Sequence, residues 1–179
     1  MLLAARDEDG RGMSDAQLRD EVITIFLAGH ETTAIALSWC WYLLARHPEV
    51  EARLAAELAS VLAGRAPAIE DLPRLVYAEQ VVKEAMRLYP PAYAIGREAL
   101  EDCEVGGYRV PKGATVFVSQ WAMHRDERFF GADGEAFRPE RWTAEFEAGL
   151  PRYAYLPFGG GPRVCIGKRF ALMEAVLLL

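Results

Sequence analysis

One cysteine stands in a setting that could support metal or nucleophile chemistry. Cys165 ends the glycine-rich stretch FGGGPRVC of residues 158–165, and a strongly helical composition begins at Lys168. Glycines allow positive backbone φ angles and a close approach to a flat ligand. Because free amides at a helix N-terminus favour a thiolate over a thiol, Cys165 is predicted to be an anionic sulfur.

An anionic sulfur at this position could serve as a ligand to iron. A thiolate ligand pushes electron density onto iron and favours O–O cleavage on the far side. Arg163, two residues earlier, could hold a porphyrin carboxylate through a charge-assisted bond. One alternative is a buried free cysteine. Another is a cysteine nucleophile, which needs His30, His47 or His124 within hydrogen-bond reach of the sulfur.

A second group with chemical potential lies inside a predicted long helix. The segment AGHETT, residues 28–33, places Glu31 beside Thr32. A threonine hydroxyl can bond to a carbonyl one turn earlier and bend or open the helix, which would leave room for a diatomic ligand. A carboxylate beside a hydroxyl can then relay protons. The alternative is an ordinary helix with a solvent-facing glutamate.

Glu84 and Arg87 form a third group, three residues apart on one helix face. Exposed pairs of this kind are common and contribute only about 0.2–0.5 kcal/mol. Here apolar neighbours flank the pair, and Pro90 ends the helix directly after it. We therefore interpret the pair as structural rather than chemical.

Helical patterns supply the elements that must position these groups. A capping box at residues 14–17 predicts a long helix over 14–46. Pro48 starts a second helix that runs to about residue 63. A third helix is predicted over 75–89, and the start of a final helix over 168–179. The apolar helix over 14–46 is interpreted as a buried core helix, because a charge at a bilayer centre is costly.

A smaller β region lies between the third helix and the cysteine. Short alternating segments on either side of Gly106-Gly107 predict a tight hairpin within residues 103–118. Residues 124–156 are rich in charged residues, glycine and proline and are predicted to be irregular. The predicted fold class is mainly α with a small β-hairpin region.

Composition narrows the function classes. The 179 residues are enough for one domain, and 52% apolar with 26% charged residues is typical of a folded globular protein. A net charge of −6 argues against a nucleic-acid partner. Three widely spaced cysteines without a Cys-x-x-Cys pair favour a reducing compartment over a disulfide framework or structural zinc.

The cysteine stretch resembles the haem-binding signature of the cytochrome P450 superfamily. Phe158 is followed two residues later by a glycine, then by Arg163, Cys165 and the closing Gly167. The other motifs occur in the family's order over nearly the whole chain. The resemblance implies the C-terminal part of the cytochrome P450 fold, as a partial domain over residues 1–179 that is truncated at both ends.

The resemblance also assigns a cofactor and its contacts. Cys165 would be the axial ligand of heme b, iron protoporphyrin IX, with Arg163 and Arg97 on the porphyrin carboxylates. Residues 92–95 would line the substrate side. The implied cofactor-binding set is Cys165, Arg163, Arg97, Phe158, Gly159 and Gly167.

The two remaining groups also acquire roles from the resemblance. Thr32 would be the oxygen-side alcohol and Glu31 the acid of a proton relay. Glu84 and Arg87 would form the family's Glu-x-x-Arg element, and Arg141 would complete a buried structural network. That network would fix a meander over 137–156 and the haem-thiolate loop over 157–167.

The activity implied by the resemblance is that of a haem-thiolate monooxygenase. It would insert one atom of dioxygen into a small apolar organic substrate. Electrons would come from an external ferredoxin or flavoprotein reductase, because the sequence has no flavin, nicotinamide or iron–sulfur motif. We expect a cytoplasmic protein with no membrane segment in this chain. The basic residues expected to face the partner are Arg152, Arg163, Lys168 and Arg169.

A truncated, non-catalytic fragment with weak or no haem binding is the alternative. The apolar residues 176–179 follow a helical pattern with no closing glycine or proline, which predicts an unfinished helix. The family's upstream substrate-recognition helices are not in the sequence.

Overall fold

The structure is a computed structural model that describes residues 2–179; Met1, the first residue of the predicted domain, lies outside them. Short 3-10 turns lie at Leu2–Ala4, Ile69–Arg74, Pro139–Arg141 and Gly161–Arg163. The helices are α1 (Asp15–Arg46), α2 (Pro48–Leu62), α3 (Val76–Leu88), α4 (Gln120–Met123), α5 (Glu127–Phe130), α6 (Ala144–Gly149) and α7 (Lys168–Leu178).

Two small antiparallel sheets lie between α3 and α4. The strands are β1 (Ala94–Glu98), β2 (Cys103–Val105), β3 (Tyr108–Val110) and β4 (Thr115–Ser119). β2 and β3 form the predicted hairpin, with Gly106 and Gly107 both at positive φ. β1 pairs with β4, so this hairpin lies in the connection between the strands of the other sheet. The predicted fold class, mainly α with a small β-hairpin region, is confirmed.

Local signals set the long helices. Ser14 caps α1: its hydroxyl accepts from the Gln17 N–H, and the Gln17 side chain accepts from the Ser14 N–H. α1 ends at Arg46, next to His47 and Pro48, and Pro48 is the first residue of α2. These bounds lie within one residue of the sequence-based ones, because capping and proline sterics act over a few residues.

The core lies where the C-terminal half of α1 packs with α2, α3 and α7. Its buried apolar side chains recur at helical spacing, so that each helix turns one face inward. On α3 they are Tyr77, Ala78, Val81, Val82, Ala85, Met86 and Leu88.

The N-terminal half of α1 lies outside that core. Phe26 and Leu27 are 66% and 61% exposed, and the residues around them are also open to solvent. The prediction of a helix buried along its length is therefore wrong for this half, since its apolar side chains find no cover within residues 2–179. α1 is long and apolar enough to cross a membrane, but the core helix of a soluble protein passes the same test.

Two features depart from the sequence-based expectations. β1 was not expected as a strand, and it exists because it pairs with β4, where the Phe117 ring lies over the bare Gly96. The region predicted to be irregular, 124–156, contains the short helices α5 and α6. Their N-caps are Asp126 and Thr143, whose side chains accept backbone N–H bonds.

Candidate functional site

The loop before α7 presents the Cys165 side chain to solvent. The Cys165 N–H donates to the Phe158 carbonyl at 2.9 Å, which closes the loop on itself. Gly159 and Gly161 have φ of +71° and +70°, a conformation that favours glycine. Gly160 has a different reason, since a Cβ there would lie 2.6 Å from the Tyr153 ring. Two of the glycines are therefore required by the backbone conformation of the loop, and Gly160 is required by its close contact with the Tyr153 ring.

Cys165 lies just before the N-terminus of α7. Gly167 is the N-cap of this helix, and the Lys168 N–H donates to the Cys165 carbonyl at 3.4 Å. A Cβ added to Gly167 would lie 3.9 Å from the Cys165 Sγ, so the bare glycine leaves space beside the sulfur. Cys165 is therefore exposed to solvent near the start of the final helix, which is the position predicted from the sequence.

The two arginines assigned to porphyrin carboxylates are both exposed. Arg97 lies on β1 and donates to the Gly96 carbonyl, and Arg163 ends the turn Gly161–Arg163. β1 lies against the loop, because a Cβ on Gly159 would be 3.5 Å from the Ile95 Cδ1. Neither guanidinium forms an ion pair within residues 2–179, so both are available to an anion.

Glu31 and Thr32 lie on the exposed half of α1. The Thr32 Oγ1 donates to the Ala28 carbonyl at 2.6 Å, one turn earlier. The α-helix is nevertheless continuous from Asp15 to Arg46, so the predicted opening of the helix is not found. The reason is that a carbonyl has two lone pairs and can accept the hydroxyl without losing its helical bond.

Glu84, Arg87 and Arg141 come together in a fully buried cluster. The Glu84 Oε1 accepts from the Arg87 Nη2 and the Arg141 Nε, both at 2.8 Å. The Glu84 Oε2 accepts from the Arg87 Nε at 2.9 Å. The Trp142 indole N–H also donates to Oε2 at 2.9 Å, a bond that phenylalanine could not make. The Arg138 N–H donates to Oε1 as well, at 3.0 Å, so each carboxylate oxygen accepts from a guanidinium and from at least one further donor.

The two guanidinium groups also bind the backbone of the segment between α4 and the turn Pro139–Arg141. The Arg87 Nη1 donates to the His124 and Gly134 carbonyls at 2.7 and 2.6 Å. The Arg141 Nη1 donates to the Phe130 carbonyl at 3.2 Å. Buried charges are tolerated only when paired and hydrogen-bonded, and this cluster meets both conditions. It fixes an irregular segment of chain onto α3.

None of the three histidines supplies a base to Cys165 within residues 2–179. His30 stacks on Phe26 with ring centroids 5.8 Å apart. The His47 Nδ1 bonds to the Leu43 carbonyl at 2.8 Å. The His124 Nε2 accepts the Leu156 N–H at 2.9 Å. The cysteine-hydrolase alternative needs a histidine on the sulfur and therefore loses its geometric support.

Two buried side chains near the loop have structural roles that the sequence did not indicate. Gln120 and His124 are both 0% exposed, and burial lowers the pKa of His124 to about 4. Tyr155, whose hydroxyl donates to the Lys83 carbonyl, has a pKa raised well above the usual value by burial and then by the Glu84 charge. Nothing in the sequence indicated that His124 would be buried and bonded to the Leu156 backbone, because it is a lone histidine in a segment without periodicity.

The exposed groups fit a haem better than a protein-enclosed metal. No cluster of three or more His, Cys, Asp or Glu ligands exists within the described part of the chain. A metal held by Cys165 would therefore bring its other ligands with it, as iron in a porphyrin does. Ile166 and Phe170, which follow Cys165 in the chain, are 98% and 63% exposed and offer apolar surface.

Comparison with known proteins identifies the family. The cytochrome P450 family model matches residues 1–179. The chain is 47% identical to cyclooctatin synthase of Streptomyces melanosporofaciens, over all of this chain and 39% of that protein. It is 44% identical to cytochrome P450 4V2 of Mus musculus, over all of this chain and 34% of that protein.

Pentalenene oxygenase of Streptomyces avermitilis is 42% identical, over 99% of this chain and 39% of the relative. The chain thus spans well under half the length of these relatives. The match of the family model, together with the Cys165 loop and the Glu84–Arg87–Arg141 cluster, shows that the chain belongs to the cytochrome P450 family.

Proposed function

We propose that this chain is the haem-binding part of a haem-thiolate monooxygenase. The observation that supports this most strongly is the exposed Cys165 side chain just before the N-terminus of α7. Its loop is held by backbone hydrogen bonds within the loop. Family membership makes haem the expected cofactor, and we propose that it is heme b. Bound haem supplies the reductive activation of dioxygen and the insertion of one oxygen atom into an organic substrate.

The residues of this chain provide the ligand, the anchoring and the shape. Cys165 supplies the sulfur ligand. Arg163 and Arg97 bind the porphyrin carboxylates, which suits two exposed guanidinium groups without an ion pair in residues 2–179. Phe158, Gly159 and Gly167 keep the loop compact and leave room beside the sulfur.

Glu31 and Thr32 deliver protons on the oxygen side. The Thr32 hydroxyl donates to the Ala28 carbonyl, which leaves its oxygen as an acceptor towards solvent or substrate. Glu31 is the neighbouring acid. Relay by a hydroxyl and a carboxylate of this kind typically contributes a rate factor of roughly 10²–10⁴.

An apolar organic molecule is the proposed substrate. Two relatives are named pentalenene oxygenase and cyclooctat-9-en-7-ol 5-monooxygenase. Phe26 and Leu27 on the N-terminal half of α1 are exposed apolar side chains and suit a substrate of this class. Residues 92–95 are proposed to line the same side.

Electrons are proposed to arrive from an external ferredoxin or flavoprotein reductase. The side chains of Arg152, Arg163, Lys168 and Arg169 are exposed around the cysteine loop, and none forms an ion pair within residues 2–179. An acidic partner would be attracted to them, and salt would weaken the attraction. We also propose a cytoplasmic location, on the basis of the sparse, unpaired cysteines.

A reduced, carbon-monoxide difference spectrum tests the ligand. The full-length protein, purified with added haemin, should give the Soret band typical of thiolate ligation. Cys165→Ala should lose this band while its far-UV circular dichroism stays unchanged. Cys103→Ala is the matched control, because Cys103 is also exposed but lies on β2. A thiolate band that survives in Cys165→Ala would refute the assignment.

Charge reversal tests the docking face. Lys168→Glu should slow reduction by the partner and reduce the dependence of the rate on ionic strength. Lys112→Glu serves as control, since Lys112 is exposed in the turn after β3. Equal rates for the two variants at every salt concentration would contradict the proposed docking face.

Weak haem binding by the isolated chain is the second candidate. It is favoured by the exposure of the apolar N-terminal half of α1 in residues 2–179. Haem titration of this chain and of the full-length protein, followed at the Soret band, would distinguish the two. Equal affinity would exclude this alternative.

A further inference from the structure

The backbone of Leu156 is held by two buried side chains. Its N–H donates to the His124 Nε2 at 2.9 Å, and its carbonyl accepts from the Gln120 Nε2. Gln120 is the first residue of α4 and His124 is its C-cap. Since both side chains are 0% exposed, water does not compete for these bonds. We call Gln120, His124 and Leu156 the clamp.

The clamp is linked to Cys165 by backbone hydrogen bonds. The Leu156 carbonyl also accepts the Gly159 N–H at 2.9 Å. The Phe158 carbonyl, between them, accepts the Cys165 N–H at 2.9 Å. Displacement of Leu156 would therefore be transmitted to the residue that carries the sulfur.

The other end of the clamp is fixed by the Glu84 cluster. The carbonyl of His124 accepts from the Arg87 Nη1 at 2.7 Å, and Arg87 is paired with Glu84. His124 thus binds the cluster through its backbone and the cysteine loop through its side chain. A continuous set of hydrogen bonds runs from α3 to Cys165.

The protonation state of His124 is defined by its partner. A ring nitrogen that accepts an N–H bond carries no proton, so the proton of the neutral ring lies on Nδ1. The Gln120 Oε1 has no hydrogen-bond partner within the described residues, and an unpaired buried polar atom is unfavourable. The bond from the Gln120 Nε2 to the Leu156 carbonyl is therefore the polar contact that accounts for the place of this side chain.

We propose that Gln120 and His124 are positioning residues that set the place of the Cys165 sulfur by holding the backbone of Leu156. Their effect on iron ligation rests on the proposed function, whereas their effect on the loop does not. Neither side chain hydrogen-bonds to Cys165 within the described residues, so both act through the bonds to the Leu156 backbone.

Amide hydrogen exchange tests the clamp without any requirement for haem. In the full-length protein, His124→Phe keeps a ring of similar size but removes the acceptor of the Leu156 N–H. Peptides that cover 156–165 should then exchange about 5- to 30-fold faster, which is the effect of one lost buried hydrogen bond. His124→Gln offers a carbonyl in place of Nε2 and should restore slow exchange. Met123→Leu, on the same short helix, is the matched control and should exchange like the parent.

The spectrum gives the second measurement. His124→Phe should lower the fraction of haem with the thiolate-type Soret band, and His124→Gln should recover it. Unchanged exchange and an unchanged band in folded His124→Phe would overturn the proposal. If His124→Phe does not fold, Gln120→Met decides on the same two measurements, because it removes only the donor to the Leu156 carbonyl.

Failure of the proposed function would give a different pattern. In that case the parent protein would lack the thiolate-type band altogether, while the exchange of 156–165 would still report on the clamp.

Discussion

The Glu84 cluster differs from two exposed segments of the same chain, the N-terminal half of α1 and the Cys165 loop. Glu84 and Arg87 are 0% exposed, and Glu84 meets its donors within this chain. By contrast, Ile166 next to Cys165 is 98% exposed, and Phe26 on α1 is 66% exposed. The cluster is complete in residues 2–179, whereas the two exposed segments leave apolar side chains uncovered there.

The difference separates the scaffold of the site from its chemistry. Hydrogen bonds to buried charges hold a segment in one place, and their loss leaves a desolvated charge behind. Exposed groups contribute little to folding and remain available to a ligand. Mutations in the cluster should therefore act on stability, and mutations in the two exposed segments should act on binding and turnover.

Removal of the shared carboxylate should have the largest effect. Glu84→Ala leaves the Arg87 and Arg141 guanidinium groups buried without their counter-charge, which should cost about 3–5 kcal/mol in the free energy of unfolding. Urea unfolding measures this change. Glu79→Ala is the control, because the Lys83–Glu79 pair is partly exposed and should be worth about 1 kcal/mol or less. Similar decreases in the free energy of unfolding for the two variants would contradict the greater importance of the buried cluster for stability.

Acid should have the second-largest effect, by lowering the free energy of unfolding through protonation of the buried His124. The unfolded pKa of histidine is near 6.5, and burial, together with the Arg87 and Arg125 charges, lowers the pKa of folded His124 to about 4. The unfolded chain therefore takes up the proton first, and stability present above pH 6.5 is lost as the pH falls towards 4. The loss should be on the order of 3 kcal/mol. His124→Gln, compared with the parent from pH 7 to 4, should lack this slope; parallel curves would contradict it.

Trp142→Phe should have an intermediate effect. It removes the indole donor to the Glu84 Oε2 but keeps an aromatic ring in the same place. Loss of one buried bond to a charged group should cost about 1–3 kcal/mol. Trp121→Phe, at a half-exposed position, should change the unfolding free energy by about 0.5 kcal/mol or less. An unchanged stability of Trp142→Phe would show that the Arg87 and Arg141 guanidinium groups and the Arg138 N–H satisfy the carboxylate without the indole.

Thr32→Val should have the smallest effect on stability. The lost bond to the Ala28 carbonyl is exposed, so the unfolding free energy should change by less than about 0.5 kcal/mol. Product formation by the full-length enzyme should nevertheless fall, because the proposed proton relay loses its hydroxyl. Ser38→Ala is the matched control, since the Ser38 hydroxyl makes the same kind of bond to the Ala34 carbonyl. Equal product formation in the two variants would remove Thr32 from the relay.

The sequence alone determined the features that depend on a few neighbouring residues. The capping box at Ser14 and the proline at position 48 fixed the limits of α1 and the start of α2, and paired glycines fixed the hairpin. The spacing of glycines, Arg163 and Cys165 was enough to indicate the family. Such signals are local because caps, turns and steric limits act between residues close in the chain.

Only the tertiary structure decided which groups lie inside. β1 exists through its pairing with β4, Trp142 gains importance from Glu84 58 positions away, and His124 from Leu156. The exposure of the N-terminal half of α1 likewise could not be read from its apolar composition. Burial and long-range hydrogen bonds depend on which segments meet in space, and one-dimensional periodicity does not specify that.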